Sequence, residues 1–145
     1  MYSKILLATD GSEQNRQALV EAVGLASAQK AELHTLYIVD TIAFASLPMD
    51  VTWENVYNVL YDEGKEAIRD VEKHAKKAGV KFVGTVMEGN PAIEVVKYAQ
   101  ENKVDLVVVG TLGRSGLSRF LLGSTAEKII RTAPCPVLVV RQPEE

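Results

Sequence analysis

Two glycines and a Gly-Ser-Thr triplet have the spacing that could do chemistry in this chain. Gly110-Thr111-Leu112-Gly113 is followed by nine residues and then by Gly123-Ser124-Thr125. The unbroken apolar run Leu106 to Val109 comes before it, and an amphipathic segment comes after. A glycine-rich loop therefore leaves a buried strand and ends at a helix N-terminus. Free backbone N–H groups converge in such a place and the helix dipole favours negative charge, so the loop suits an anion such as phosphate. Glycine lets the backbone approach a ligand closely.

A second polar loop, Thr9-Asp10-Gly11-Ser12, follows the apolar run Lys4 to Ala8. Together the loops suggest a division of labour. Asp10 is placed to accept hydrogen bonds from ribose hydroxyls or an adenine amine. Backbone groups near Ile38 would meet an adenine edge. Gly110 and Gly113 would let a phosphate chain lie on the main chain, and Gly123, Ser124 and Thr125 would present N–H groups and hydroxyls to the outer phosphates. Arg114 and Arg119 could add charge. Each residue also has a plainer role. Asp10 can close an Asx-turn, Ser124 and Glu127 have capping-box spacing, and the two arginines can be solvated.

The elements that must position these loops follow from periodicity. Strands are expected over 4–8, 32–39, 80–87, 106–109 and 137–140. Helices are expected from an N-cap at Ser12 to about Lys30, from about Thr52 to Ala78, from Pro91 behind an Asn90 cap, and from Ser124 to Pro134. The buried face of the long helix would carry Val56, Leu60, Gly64, Ala67, Ile68, Val71 and Ala75. Ile93 and Ile130 are assigned to the buried stripes of the last two helices. Strands alternating with helices imply an α/β fold: one doubly wound, five-stranded parallel sheet with helices on both faces. Right-handed crossovers favour strand order 3-2-1-4-5. Strands one and four then meet at the switch point, where ligands bind beyond the carboxyl ends. Both polar loops leave those two strands.

Composition narrows the remaining classes. The 145 residues suit a single domain spanning 1–145, and a net charge of −3 gives no push toward nucleic acid or anionic membrane. One cysteine, Cys135, rules out an internal disulfide and fits a reducing compartment. Without a signal peptide or a bilayer-length apolar run, the expected location is the cytoplasm. No Walker A loop is present, and a single glycine after strand one argues against NAD or FAD. His34 and His74 lie far apart in sequence, so neither a metal cluster nor an activated nucleophile is expected. Trp53, Tyr57 and Tyr61 read as core or interface, and Phe44, Leu47 and Met49 as packing. Cys135 reads as an inert thiol.

The chain resembles the universal stress proteins, in the subgroup that binds ATP. The residues that carry the resemblance are Ile5 to Ser12, Gly89-Asn90-Pro91, the Gly110-x2-Gly113-x9-Gly123-Ser124-Thr125 motif, and Ala133 to Val140. They run in order along essentially the whole chain. The resemblance implies a doubly wound fold, a homodimer, and ATP or another adenine nucleotide in the crevice, with Mg²⁺ or Mn²⁺ beside it. The implied contacts are Ala8, Thr9, Asp10, Ile38, Val109, Gly110, Leu112, Gly113, Arg114, Gly123, Ser124 and Thr125. Many family members carry His or Arg where this chain has Leu112, which supplies neither charge nor a hydrogen bond.

The expected function is that of a nucleotide-binding regulatory protein of the stress response, acting on an unidentified protein partner, with no catalytic residue assigned. Two alternatives stand beside it: a dimeric interaction protein without nucleotide, and a slow metal-dependent ATPase. The expected dimer forms through the last strand, Val137, Leu138, Val139 and Val140, because a short apolar strand at a sheet edge is normally covered.

Overall fold

A computed structural model describes residues 1–41, 53–111 and 122–142. Its elements, in chain order, are β1 (Lys4–Ala8), a 3-10 turn (Glu13–Asn15), α1 (Arg16–Gln29), β2 (Glu32–Asp40), α2 (Trp53–Lys77), β3 (Phe82–Gly89), α3 (Pro91–Glu101), β4 (Leu106–Gly110), α4 (Ser124–Thr132) and β5 (Val137–Val140). The five strands form one sheet in the order β3-β2-β1-β4-β5, as expected from sequence. Every pairing is parallel.

Alternation along the central strands divides the core in two. Ile5, Leu7, Leu33 and Val108 point to the face covered by α1 and by the C-terminal half of α2. Leu6, Leu36, Val107 and Val109 point to the face covered by α3 and α4. The N-terminal half of α2 seals a smaller cluster, with Val56, Leu60, Ala67 and Ile68 packed on Tyr37 and Val39. Gly64 brings this helix close to the sheet: a Cβ there would lie 2.7 Å from Tyr37 Cδ1. Tyr57 packs on the same cluster and stacks on Tyr61, with ring centroids 5.9 Å apart, in keeping with a packing role.

Several boundaries differ from the expectation. Ser12 does not cap a helix with its side chain. Its hydroxyl donates to Asp10 Oδ1 at 2.5 Å, residues 13–15 make a 3-10 turn, and α1 starts at Arg16. Val80 is not in β3, because its N–H donates to the carbonyl of Ala75 at 2.9 Å and closes α2. Gly79, at φ +69°, supplies the left-handed residue that this closure requires. Ser124 is not an N-cap either. Glu127 N–H donates to the Gly123 carbonyl at 2.9 Å, so Gly123 occupies the cap position and Ser124 is the first residue of α4. The capping box read from Ser124 and Glu127 is therefore absent. Pro134 lies beyond the helix end, which falls at Thr132. Ile93 and Ile130 are 51% and 42% exposed, because Ala92 and Ile129, one residue earlier, take the inward positions.

Candidate functional site

The carboxyl ends of β1 and β4 open into a cleft of about 440 Å³. Ala8, Thr9, Asp10, Ile38, Val109, Gly110, Gly123, Ser124 and Thr125 all line it. Leu112, Gly113, Arg114 and Arg119 lie outside the described residues, as does the segment holding Phe44, Leu47 and Met49.

The β1 side of the cleft is organised by local hydrogen bonds. Thr9 N–H donates to the Leu36 carbonyl at 3.0 Å, which extends the sheet pairing one residue past β1. Thr9 Oγ1 accepts from Gly11 N–H at 3.1 Å. Asp10 Oδ1 accepts from the backbone and hydroxyl of Ser12, at 2.9 and 2.5 Å. This is the Asx-turn arrangement, and it fixes the carboxylate in the wall rather than removing it. A ligand role for Asp10 is compatible with the turn.

The β4 side ends at the N-terminus of α4. Gly123 N–H is spent on the Thr111 carbonyl at 2.6 Å, and Thr111 N–H on the Val140 carbonyl at 3.2 Å. The N–H groups of Ser124, Thr125 and Ala126 follow in the first turn, where a helix has no internal acceptors to offer. Ser124 and Thr125 are exposed, and neither hydroxyl is bonded to a described residue. The N-terminus of α3 is different: Asn90 Oδ1 already accepts from Ile93 N–H at 3.1 Å, and Pro91 has no N–H to give.

Two wall residues were not anticipated. Asp40 ends β2 beside the cleft. The apolar run suggests a strand ending at Val39, although pairing with Gly89 carries it one residue further. Asn15 is 7% exposed. Its Nδ2 donates to the Ala8 carbonyl at 3.1 Å, and its Oδ1 is buried with no partner. Its position in a 3-10 turn hid it, because the sequence reads as continuous helix there.

The histidines lie elsewhere. His34 is buried beneath α3, 2.5 Å from the Tyr98 hydroxyl through Nδ1 and 2.9 Å from Glu32 Oε1 through Nε2. A carboxylate only accepts, so Nε2–H donates to Glu32 and Nδ1 accepts from Tyr98. His74 Nδ1 bonds the Asp70 carbonyl within α2, at 2.8 Å. Burial raises the pKa of the half-buried Cys135 thiol, which suits an inert group. Among the described residues no cluster of His, Cys, Asp or Glu could hold a metal ion. The described residues therefore offer no dedicated Mg²⁺ or Mn²⁺ site.

Comparison with known proteins adds three kinds of likeness. The model of the universal stress protein family matches residues 1–141. A universal stress protein of Methanocaldococcus jannaschii is 43% identical over 145 residues, covering 100% of this chain and 85% of the relative. Among solved structures, a hypothetical protein whose structure was used to assign its biochemical function has a TM-score of 0.88 at 30% identity, covering 100% of this chain and 99% of that one. A universal stress protein in complex with cAMP has a TM-score of 0.71 at 27% identity, covering 98% of each chain.

Proposed function

The chain belongs to the universal stress protein family, and on that premise we propose that it is a regulatory protein that binds adenine nucleotides, ATP among them, in the cleft beyond β1 and β4. One observation carries this reading. The strand order brings the Asp10 loop and the first turn of α4 to the same cleft. Donors on one side suit a phosphate, and acceptors on the other suit hydroxyls and amines. The cAMP complex of a relative supports the choice of adenine. Nucleotide occupancy would alter the surface around the cleft, and an unidentified partner protein would read that change.

We further propose that turnover is slow or absent. No histidine lines the cleft among the described residues, and its carboxylates, Asp10 and Asp40, sit in a turn and at a strand end. The working form is proposed to be a cytoplasmic homodimer paired through β5. That strand is the sheet's edge, and Val137, Leu138 and Val139 are only half-buried in the single chain. No helix among the described residues is long and apolar enough to cross a membrane.

Native mass spectrometry of the purified protein, followed by calorimetric titration with AMP, ATP and GTP, tests the reading. Retained or saturable adenine nucleotide, one per chain, with GTP much weaker, is the expected result. Absence of binding by every adenine nucleotide, in a folded protein, would give first place to an interaction protein that works without nucleotide.

A further inference from the structure

One wall of the cleft buries an acceptor that no group of the protein uses. A second cleft, of about 600 Å³, lies between the β1–α1 loop and α2. Thr9, Asp10 and Asn15 line both clefts, so the partition between them is thin at these residues. Asn15 is its buried member. It stands at the N-cap position of α1, where asparagine is among the preferred residues, yet its side chain makes no cap hydrogen bond. The carboxamide turns to β1 instead. Pairing of β1 with β4 ends at Leu7 and Val108, and the next carbonyl of β1, that of Ala8, accepts from Asn15 Nδ2 at 3.1 Å. A carbonyl only accepts, so this contact fixes which end of the amide is nitrogen. Oδ1 is the other end, with less than 1 Å² exposed and no partner. Asn15 thus forgoes a cap and buries an idle acceptor, and both choices cost stability. Local rules are broken in this way at functional positions.

We infer that Asn15 is a ligand-binding residue, whose Oδ1 accepts a hydrogen bond from a ribose hydroxyl of the bound nucleotide. The inference rests on the adenine-nucleotide reading above and adds a sugar contact to it. A carboxamide oxygen can only accept, and a phosphate near neutral pH is itself mostly an acceptor. The partner is therefore a hydroxyl or an amine of the nucleoside half. The strand order selects the sugar. β1 lies between β2, whose Ile38 would meet the base, and β4, which leads to the phosphate-facing first turn of α4. Asn15 is tied to β1, between the two. Its Oδ1 lies just under the wall, and the donor meets it when the turn from Thr9 to Ser12 gives way. That turn is bonded within itself, through Thr9 Oγ1 and Asp10 Oδ1. The second cleft on its far side leaves it room to shift as a unit. Binding then satisfies an acceptor that the protein alone leaves unmet.

The experiment is calorimetric titration of the full chain and of its Asn15→Leu variant with AMP and with 2′,3′-dideoxy-AMP. Leucine has a similar size and no polar side-chain atom. The substitution is expected to weaken AMP about tenfold, as for a lost hydrogen bond of about 1.4 kcal/mol, and dideoxy-AMP less than about twofold. The preference for AMP over its dideoxy analogue should therefore fall by about fivefold or more. A residue that only supports the wall would weaken both nucleotides alike and leave that preference unchanged. A second measurement needs no variant. In nitrogen-15 spectra of the wild-type chain, the side-chain amide of Asn15 should shift far more with AMP than with dideoxy-AMP, because a hydrogen bond to Oδ1 polarises the whole amide.

An unchanged preference for AMP in folded Asn15→Leu overturns the inference and leaves the adenine-nucleotide reading standing. So does an Asn15 amide that responds equally to both nucleotides or to neither, and this arm decides if the variant does not fold. Absence of binding by AMP and ATP to the wild-type chain overturns the nucleotide reading itself.

Discussion

The two ends of the sheet are built on opposite plans. At the amino end polar groups are matched to one another. Asp105 Oδ2 accepts from the N–H groups of Ser3 and Lys4 at 2.8 and 2.9 Å, and Lys4 Nζ reaches the Asn102 carbonyl at 2.9 Å. Glu32, His34 and Tyr98 form a continuous hydrogen-bonded row under α3. All three helix closures next to this end, at Lys30, Gly79 and Lys103, return their N–H groups to the preceding turn. At the carboxyl end groups are left over among the described residues: Asn15 Oδ1 and the Ser124 and Thr125 hydroxyls, beside the first turn of α4. A buried polar group without a partner costs stability. Asn15 Oδ1 carries that cost in the cleft, Thr35 Oγ1 carries it inside β2, and the exposed Ser124 and Thr125 hydroxyls carry none, so the contrast between the ends lies in which polar groups stay open to a ligand.

The sharpest way to break this division is at Gly123. Its φ of −64° is open to any residue, so Gly123→Val should fold. The new side chain would stand at the mouth of α4, and nucleotide affinity should fall at least a hundredfold, about 2.7 kcal/mol. A folded Gly123→Val that binds like the wild type would remove the α4 terminus from the site. The converse variant is Asp105→Ala at the other end. Two backbone donors lose a charged acceptor, and unfolding should become easier by about 2 kcal/mol in urea titration. Nucleotide affinity measured on the folded variant should not change. If it does, the two ends are not independent.

Ser124→Ala separates two readings of one residue. A side-chain N-cap would cost about 1 kcal/mol of stability when removed. Ser124 lies one position inside the helix, so its loss should change the melting temperature very little. AMP binding should nonetheless weaken by about 1.5 kcal/mol if the hydroxyl meets a charged phosphate oxygen. A large drop in melting temperature would restore the capping role.

These contrasts also mark what could be read from the residues alone. Strand order was legible because alternating strands and helices with right-handed crossovers leave few topologies. The convergence of the Asp10 and Gly123 loops followed from that order. The long face of α2 was legible through its regular spacing. What escaped was decided at element ends, by one residue either way. Asp40 was missed because backbone pairing with β3 carries β2 past its last apolar residue. Asn15 was missed because a 3-10 turn and a first helical turn have the same composition. Ser124 was placed wrongly because the cap and first-helical positions differ only in which carbonyl accepts the Glu127 N–H, and spacing does not specify that. Burial at Ile93 and Ile130 failed for a related reason: either of two adjacent apolar residues can face inward, and the smaller Ala92 is chosen in α3.

The helix closures offer a smaller test. Lys103 holds φ at +53°, a conformation that costs a side-chain-bearing residue about 1–2 kcal/mol. Glycine adopts it freely but loses more backbone entropy on folding, by about 0.5–1 kcal/mol. Lys103→Gly should therefore stabilise the protein by about 0.5–1 kcal/mol, with nucleotide affinity unchanged. A destabilised variant would show that the Lys103 side chain contributes more than its backbone costs.

The smallest expected effect is the acid sensitivity of the His34 row. The hydrogen bond from His34 holds the Glu32 carboxyl below its usual pKa, burial opposes that, and Lys81, with its Nζ at 3.8 Å, adds to the lowering. A folded pKa below the unfolded value means that the unfolded chain binds the proton more readily. The contribution is therefore present above the ordinary carboxylate pKa near 4.5 and is lost as pH falls through the lowered folded value. Glu32 is partly exposed and Lys81 is open to solvent, so the stabilisation should stay below about 1 kcal/mol although His34 is buried. Glu32→Gln should remove this component while keeping an acceptor for Nε2–H. The measurement is urea unfolding of both proteins from pH 7 to pH 3. The difference in stability should be constant above about pH 5 and shrink below it. A difference that grows on acidification would mean that the carboxylate destabilises the row. In that case the amino end would carry an unmet polar cost of its own, and the contrast between the two ends of the sheet would lose its physical basis.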